Sequence, residues 1–529
     1  MTHSKQCQFY PLADQTTKMY LRRISGISGI IHAIRILTYD ECHFTSRDIK
    51  VKNEPFVDVK KSHYLYVNNT TRMLIRFNIE NFLSFEGRTT FSMIPGRGSL
   101  KPHHKTKKCG GISVLKTGVL FGANASGKSN LIKSIAFGKK MVLRGTKPEK
   151  PIEYQNFRLN KNPTLKDSRL EYEFQHNGFN YAYGFTFNKE SIVEEWLYKI
   201  GPNLEQKIFE RDNKKQNPFD LAYFIEKINS PEELQFLSFI AKGTRNNQLF
   251  LTEIRARNVA ENVSKIDDLL NTIDWFQNAL KIISPEDKYN EGLKFELRED
   301  VELLTTFEEL LSYFDTGIDG VCLEAVDPDN IEIPKRIIEE IKGDLLSKKS
   351  ESSRASISIR GNTYFLSIKN DELEIQKFMT KHAVSGNEKV VKFDTRDESD
   401  GTNRIMDFIP LMMDLVKGDN VFIIDEMERS LHPNLMYDLI DLFLSKTEHV
   451  NSQLILASHE STLLTQKLLR KDEIWFVVKD QNGASKLHSL EEYNVRFDKE
   501  IRKDYLIGRF KAIPRIGSRA NLSVLNNIS

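Results

Sequence analysis

The run Gly118–Ile132, GVLFGANASGKSNLI, leaves the chain little freedom of local structure. Val119, Leu120 and Phe121 read as the end of a buried strand, and Asn130, Leu131 and Ile132 as the first turn of a helix. Between them lies G-x-x-x-x-G-K-S, the pattern of a loop that wraps phosphate. Gly122 and Gly127 let the backbone turn tightly, so that the N–H groups of Ala123, Asn124, Ala125, Ser126 and their neighbours point inward at phosphate oxygens. A helix starting near Lys128 adds its positive end. In this pattern Lys128 neutralises the β- and γ-phosphates, and the Ser129 hydroxyl ligates Mg²⁺. A nucleoside triphosphate with its metal is therefore the expected ligand of Gly122–Asn130.

Such a loop is incomplete without an acid to place the metal. Val421-Phe422-Ile423-Ile424 ends in Asp425-Glu426. Four consecutive apolar residues suit a strand covered on both faces in a parallel sheet, and the carboxyl ends of such strands face the ligand crevice. Asp425 is then expected to hold Mg²⁺ through water, and Glu426 to orient or deprotonate the attacking water. A second apolar strand, Gln453–Ala457, ends in Ser458-His459, which puts His459 where it can sense the γ-phosphate.

At 529 residues the chain exceeds what one hydrophobic core supports, so several sub-structures are expected. Residues 1–72 lack a clear period; strand-like alternation starts at Met73, which we read as the start of the folded domain and as a candidate translation start. Residues 73–215 read as strands and turns around the phosphate loop, with Leu170–Phe174 and Tyr181–Phe187 paired through the turn His176-Asn177-Gly178. Helical spacing dominates 216–346. Residues 347–515 return to strands and then alternate helix and strand, and 516–529 form a tail. The class is α/β: a mixed antiparallel subdomain, a mostly parallel sheet flanked by helices, and an inserted helical subdomain.

With 76 basic and 73 acidic residues, the formal charge of +3 gives no broad polyanion-binding surface. Cys7, Cys42, Cys109 and Cys322 are dispersed, which implies neither a disulfide framework nor a zinc site and fits a reducing cytoplasm. The pair His103-His104 has no further ligand nearby in sequence and reads as a loop. No apolar run of membrane-spanning length is present, so no membrane association is expected.

The order of phosphate loop, Arg396–Thr402, Asp425-Glu426 and His459 resembles the ABC-type ATPases of the SMC and RecF kind. In that class a serine-glycine turn opens a helix and closes on the γ-phosphate held by the opposite subunit. Ser399 and Gly401 fall at the matching positions, with Thr402–Val416 as the helix, whereas Asp400 replaces a glycine of the usual signature and Thr402 its glutamine or glutamate. Met73–Phe85, Ile192–Tyr198, Glu398–Thr402, Arg429–Pro433 and Gly508–Pro514 together resemble a narrower group, the stand-alone bacterial ABC-like ATPases of the abortive-infection and RloA type. The resemblance spans residues 73 to about 515. It implies a homodimer sandwiching Mg-ATP, with Ser399, Asp400 and Gly401 acting in trans and Glu428–Pro433 crossing the interface. It also implies Gln155 as the loop glutamine beside Mg²⁺, and Asn81–Ser84 near the base.

Members of that group are often encoded beside a separate effector, and the resemblance implies ATP-driven control of a nucleic-acid-directed defence response, with DNA or a phage component as further partners. Only seventy residues follow His459, too few for an appended nuclease-like domain, so damage is expected to come from a separate protein. A DNA-repair ATPase of the RecF or SMC type is the alternative; the basic segment Arg496–Arg519 would serve it, although Asp498, Glu500 and Asp504 also make that segment a solvated helical face. A transporter motor is disfavoured by the large insert and unusual signature, and a non-hydrolysing scaffold by the presence of Lys128, Asp425 and Glu426.

Overall fold

The computed structural model describes residues 71–514 except 160–165, 286, 288, 290, 329–330, 348–353, 370–371, 385, 387–388, 494 and 496–499. Residues 1–70 and 515–529 lie outside it, and with them the proposed N-terminal extension, Cys7, Cys42 and the far end of the basic segment. The described chain forms two compact units, one from residues up to Asp287 and from Asp414 onward, the other from Lys288–Met413.

The first unit holds two sheets. Seven strands form an antiparallel sheet that starts at Met73–Glu80 and includes the hairpin Ser168–His176 and Phe179–Phe187. His176 pairs with Phe179, so Asn177 and Gly178 alone make the turn, both with positive φ (48° and 82°). This is the two-residue turn whose twist matches that of the flanking strands.

The second sheet has six strands in the order Leu280–Ile283, Val421–Asp425, Gln453–Ser458, Thr117–Phe121, Ile474–Lys479 and Ser485–Ser489. The first five are mutually parallel and the last is antiparallel. Val421–Asp425 is buried along its whole length, as four successive apolar residues require. The helix Lys128–Arg144 follows the central strand directly. Its apolar residues Leu131, Ile132 and Ile135 share one core with Phe77, Tyr172 and Phe174 of the antiparallel sheet and Leu120, Ile423 and Ile455 of the parallel sheet. Tyr172 also donates its hydroxyl to the Ile135 carbonyl (3.0 Å), tying the antiparallel sheet to that helix.

The second unit is itself mixed. Strands Gly320–Ala325, Glu372–Ala383, Asn362–Lys369 and Arg354–Ile359 pair in that order, and Val390–Asp394 adds to the free length of Glu372–Ala383. The helix Lys335–Ser347 covers this sheet, with Ile338 and Leu345 packed against Tyr364, Leu366 and Ile375. The division thus differs from the one read from composition. The helical stretch 216–346 is split between the units, its first part belonging with the phosphate loop, and the Lys288–Met413 insertion carries a sheet as well as helices. Helical spacing marked the helices but gave no sign of which partner each would bury its face against.

Candidate functional site

The parallel order of the second sheet brings three carboxyl ends side by side. Phe121 opens into the phosphate loop, Val421–Asp425 ends in the acid pair, and Gln453–Ser458 ends at His459. A cleft of about 660 Å³ is lined by residues 124–130 of the loop together with Glu426, Glu428, Arg429, His459 and Lys479. Asp425 lies beneath it, its Oδ1 accepting from the Ser129 hydroxyl at 3.1 Å.

Lys128 is 4% exposed. Its ammonium donates to the carbonyls of Gly122 (2.9 Å) and Ala123 (3.4 Å) and sits 2.8 Å from His459 Nε2. An ammonium only donates, so Nε2 is the unprotonated nitrogen of the imidazole. Burial, with Lys128 next in size, pushes the His459 pKa down, which keeps this ring neutral at neutral pH. Burial also brings Lys128 down to about 8, against the opposing pull of Glu428, Asp425 and Glu426. Asp425 is pushed up by burial, countered by its bond from Ser129.

The residues present suit a phosphate and a hard cation. The helix Lys128–Arg144 has no acidic residue in its first turn to oppose an anion at its N-terminus. Ser126 Oγ and Glu428 Oε2 are buried without a hydrogen-bond partner among the described residues, as groups awaiting a polar ligand would be. Among the described residues no three His, Cys, Asp or Glu side chains cluster to hold a metal by themselves. One hydroxyl and one carboxylate, completed by phosphate oxygens and water, is a donor set that suits Mg²⁺.

Glu426 adopts a positive φ of 50°, and its N–H donates to the Ala457 carbonyl (3.1 Å), which turns the chain out of the strand just where the carboxylate reaches the cleft. Glu428 ties the next turn to the histidine loop, accepting from the His459 backbone N–H.

Gln155 is exposed and is not among the residues lining the cleft; its backbone carbonyl accepts from Leu83 N–H (2.8 Å). Of Asn81–Ser84, Asn81 is buried with its amide on the Lys166 carbonyl, and Phe82 packs among Phe137, Tyr154 and Phe187. Ser84 reaches the phosphate loop through Ser485. His104 is a core residue: its Nδ1 lies 2.8 Å from Glu473 Oε1, and burial drives its pKa to about 3. Lys479 and Ser485 went unnoticed in the sequence. The signal for Lys479 was its place at the carboxyl end of an apolar strand, the rule that found Asp425.

In the second unit, Ser399 and Asp400 are exposed at the start of the helix Asp400–Lys417, with Gly401 partly covered. Ser399 caps that helix, its Oγ accepting from Thr402 N–H (3.0 Å). Just before it, Glu398 is held by His382 Nε2 (2.8 Å) and the Thr380 hydroxyl (2.5 Å), and Asn403 donates to the Thr395 carbonyl (2.9 Å). The turn is therefore rigidly presented, with its serine outward. Among the described residues Cys109 and Cys322 are free thiols, and no helix is long and apolar enough to cross a membrane.

A family model described as "AAA domain, putative AbiEii toxin, Type IV TA system" matches residues 119–259 and 325–465, more than half of the chain. No curated protein matches. Similar solved structures include the "SMC head domain from Thermotoga maritima", 11% identical over 79% of this chain and 98% of that one, with a TM-score of 0.33. They also include an SMC head bound to the C-terminal winged-helix domain of ScpA (14% identity, 79% and 98% coverage, TM-score 0.36). A third is an SMC head with an extended coiled coil bound to the C-terminal domain of ScpA, derived from Pyrococcus furiosus (15%, 83% and 100%, 0.33).

Proposed function

Since the chain belongs to the AAA-domain family whose description names the AbiEii toxin of a type IV toxin–antitoxin system, we propose that it is a Mg-dependent ATPase whose nucleotide closes a dimer, serving as a switch in a defence response executed by a separate effector. The observation that carries the catalytic part is the single cleft in which Ser129 and Asp425 touch at 3.1 Å while Lys128, Glu426 and His459 stand around them.

In this reading Gly122–Asn130 cradle the phosphates, and Lys128 leaves the Gly122 and Ala123 carbonyls to neutralise them. Ser129 and Asp425 would hold Mg²⁺, which supplies charge neutralisation when bound. Glu426 accepts the proton of the attacking water. His459, kept neutral by burial and the adjacent ammonium, can both hold Lys128 and meet the terminal phosphate. Gln155, exposed and outside the cleft lining, would have to reach the metal by a movement of its loop.

Ser399, Asp400 and Gly401 would act from the second copy, where a helix N-terminus meets the phosphate tail. The position of Ser399 supports this: it is exposed at the start of the helix, where its hydroxyl accepts from the Thr402 N–H. Asp400 adds a negative charge at that end, so closure would depend on the cations opposite. The toxin named in the family description supports a growth-arrest or defence setting. Release of phosphate from ATP by the purified protein tests the enzymatic part. Turnover lost in both Lys128→Ala and Glu426→Gln is expected; equal turnover in wild type and Glu426→Gln would remove Glu426 from the mechanism.

A further inference from the structure

We propose that Ser485 is a positioning residue that aims the phosphate loop from outside the cleft. The inference rests on reading Gly122–Asn130 as the nucleotide site. Ser485 opens the last strand of the parallel sheet's edge hairpin and is fully buried. Its Oγ lies 2.6 Å from the Ser126 carbonyl oxygen and 2.8 Å from Ser84 Oγ, and its N–H donates to the Ser84 carbonyl at 2.7 Å. A hydroxyl carries one proton, and a carbonyl oxygen can only accept. The Ser485 hydroxyl is therefore the donor, with the Ser126 carbonyl the nearer acceptor at 2.6 Å and Ser84 Oγ the second at 2.8 Å.

That carbonyl belongs to the peptide unit joining Ser126 to Gly127. In a planar trans peptide the C=O and the following N–H point in opposite directions. Holding the Ser126 oxygen toward Ser485 therefore turns the Gly127 N–H away from the hairpin and toward the concave side of the loop, where phosphate oxygens are expected. The neighbourhood shows how closely the brace is built. Gly127 has φ of 117°, and a Cβ there would lie 2.2 Å from Ser485 Oγ and 2.9 Å from Ser84 Oγ. The glycine is needed as much for the brace as for the turn.

Ser84 and Ser485 lie on opposite sides of the loop in sequence, 401 residues apart. The bond from Ser485 N–H to the Ser84 carbonyl joins the edge hairpin to the segment that follows Met73–Glu80 and so holds Ser485 in position. Ser485 touches no phosphate in this account, and it acts only through Ser126.

The test measures binding of ATP, steady-state kcat and KM, and melting of the nucleotide-free protein for wild type, Ser485→Ala, Ser84→Ala and Ser485→Thr. A neutral hydrogen bond that orients one donor is worth about a tenfold change in affinity. We expect Ser485→Ala to weaken ATP binding and raise KM about tenfold, with kcat and melting temperature nearly unchanged. Ser84→Ala should have a smaller effect, because Ser485 can still donate to Ser126. Ser485→Thr, which keeps the hydroxyl, should bind ATP more tightly than Ser485→Ala. ATP affinity in Ser485→Ala equal to wild type would overturn the inference, as would a loss that tracks lowered melting temperature, or a Ser84→Ala defect as large as that of Ser485→Ala. If wild type itself binds no nucleotide, the reading of the site fails instead, which is a distinct result.

Discussion

If Lys128 binds the phosphates as proposed, it should set the pH range in which this site holds a triphosphate. Burial lowers its free-state pKa to about 8, and bound phosphate, by favouring the ammonium, must raise it. A group whose pKa rises on binding contributes its full share below the free value and loses it as pH climbs through the bound value. ATP affinity should therefore be flat from about pH 6.5 to 7.5 and weaken above about pH 8, by up to tenfold per unit. Titration calorimetry across that range checks it, and a profile flat to pH 9.5 would show that Lys128 does not carry the affinity. His459 does not complicate the test, because burial and Lys128 already hold it neutral. Glu426→Gln keeps the shape of the cleft and removes a base. It should lower kcat by about 10²- to 10⁴-fold with ATP affinity changed only a few-fold, as single-turnover kinetics would reveal.

Among the elements, the hairpin around Asn177-Gly178 offers a test of the backbone alone. Gly178 has φ of 82°, and a Cβ there would meet nothing within 4 Å. Gly178→Ala should therefore cost about 1 kcal/mol through left-handed strain only. A small drop in melting temperature with unchanged ATP affinity is expected, and altered affinity would place that turn closer to the site than this fold does. The helix after Ser399 was expected only from the family resemblance, whereas the hairpin, the phosphate loop and the acid-tipped strand were legible in the residues themselves: a turn dipeptide, a glycine spacing, an unbroken apolar run. Ser485 and Lys479 were not. Lys479 carried one local sign, the end of an apolar strand, but its place at the cleft, like that of Ser485, follows only when Ile474–Lys479 pairs beside Thr117–Phe121, a register set by strands more than 350 residues apart. The helical stretch 216–346 is divided between the two units for a related reason, since periodicity reports that a helix has an apolar face and is silent on what covers it.

For the whole molecule, the chain passes from the unit that carries the phosphate loop into the Lys288–Met413 unit that carries Ser399, and then back to supply Asp425, Glu426 and His459. An exposed serine turn in one unit and an open cleft in the other are what a protein needs if its site is completed by a second copy. Local motifs gave the candidate residues of both surfaces. They could not establish that two chains meet, because no residue pattern here encodes the geometry of contact between copies. The account stands most directly on the mass in solution of Glu426→Gln, a 61.2 kDa chain, with and without Mg-ATP. Sedimentation should give a monomer without nucleotide, a dimer with Mg-ATP, and a return to nucleotide-bound monomer when Ser399→Arg is added. A Glu426→Gln protein that binds Mg-ATP yet stays monomeric, or a dimer indifferent to Ser399→Arg, would contradict it.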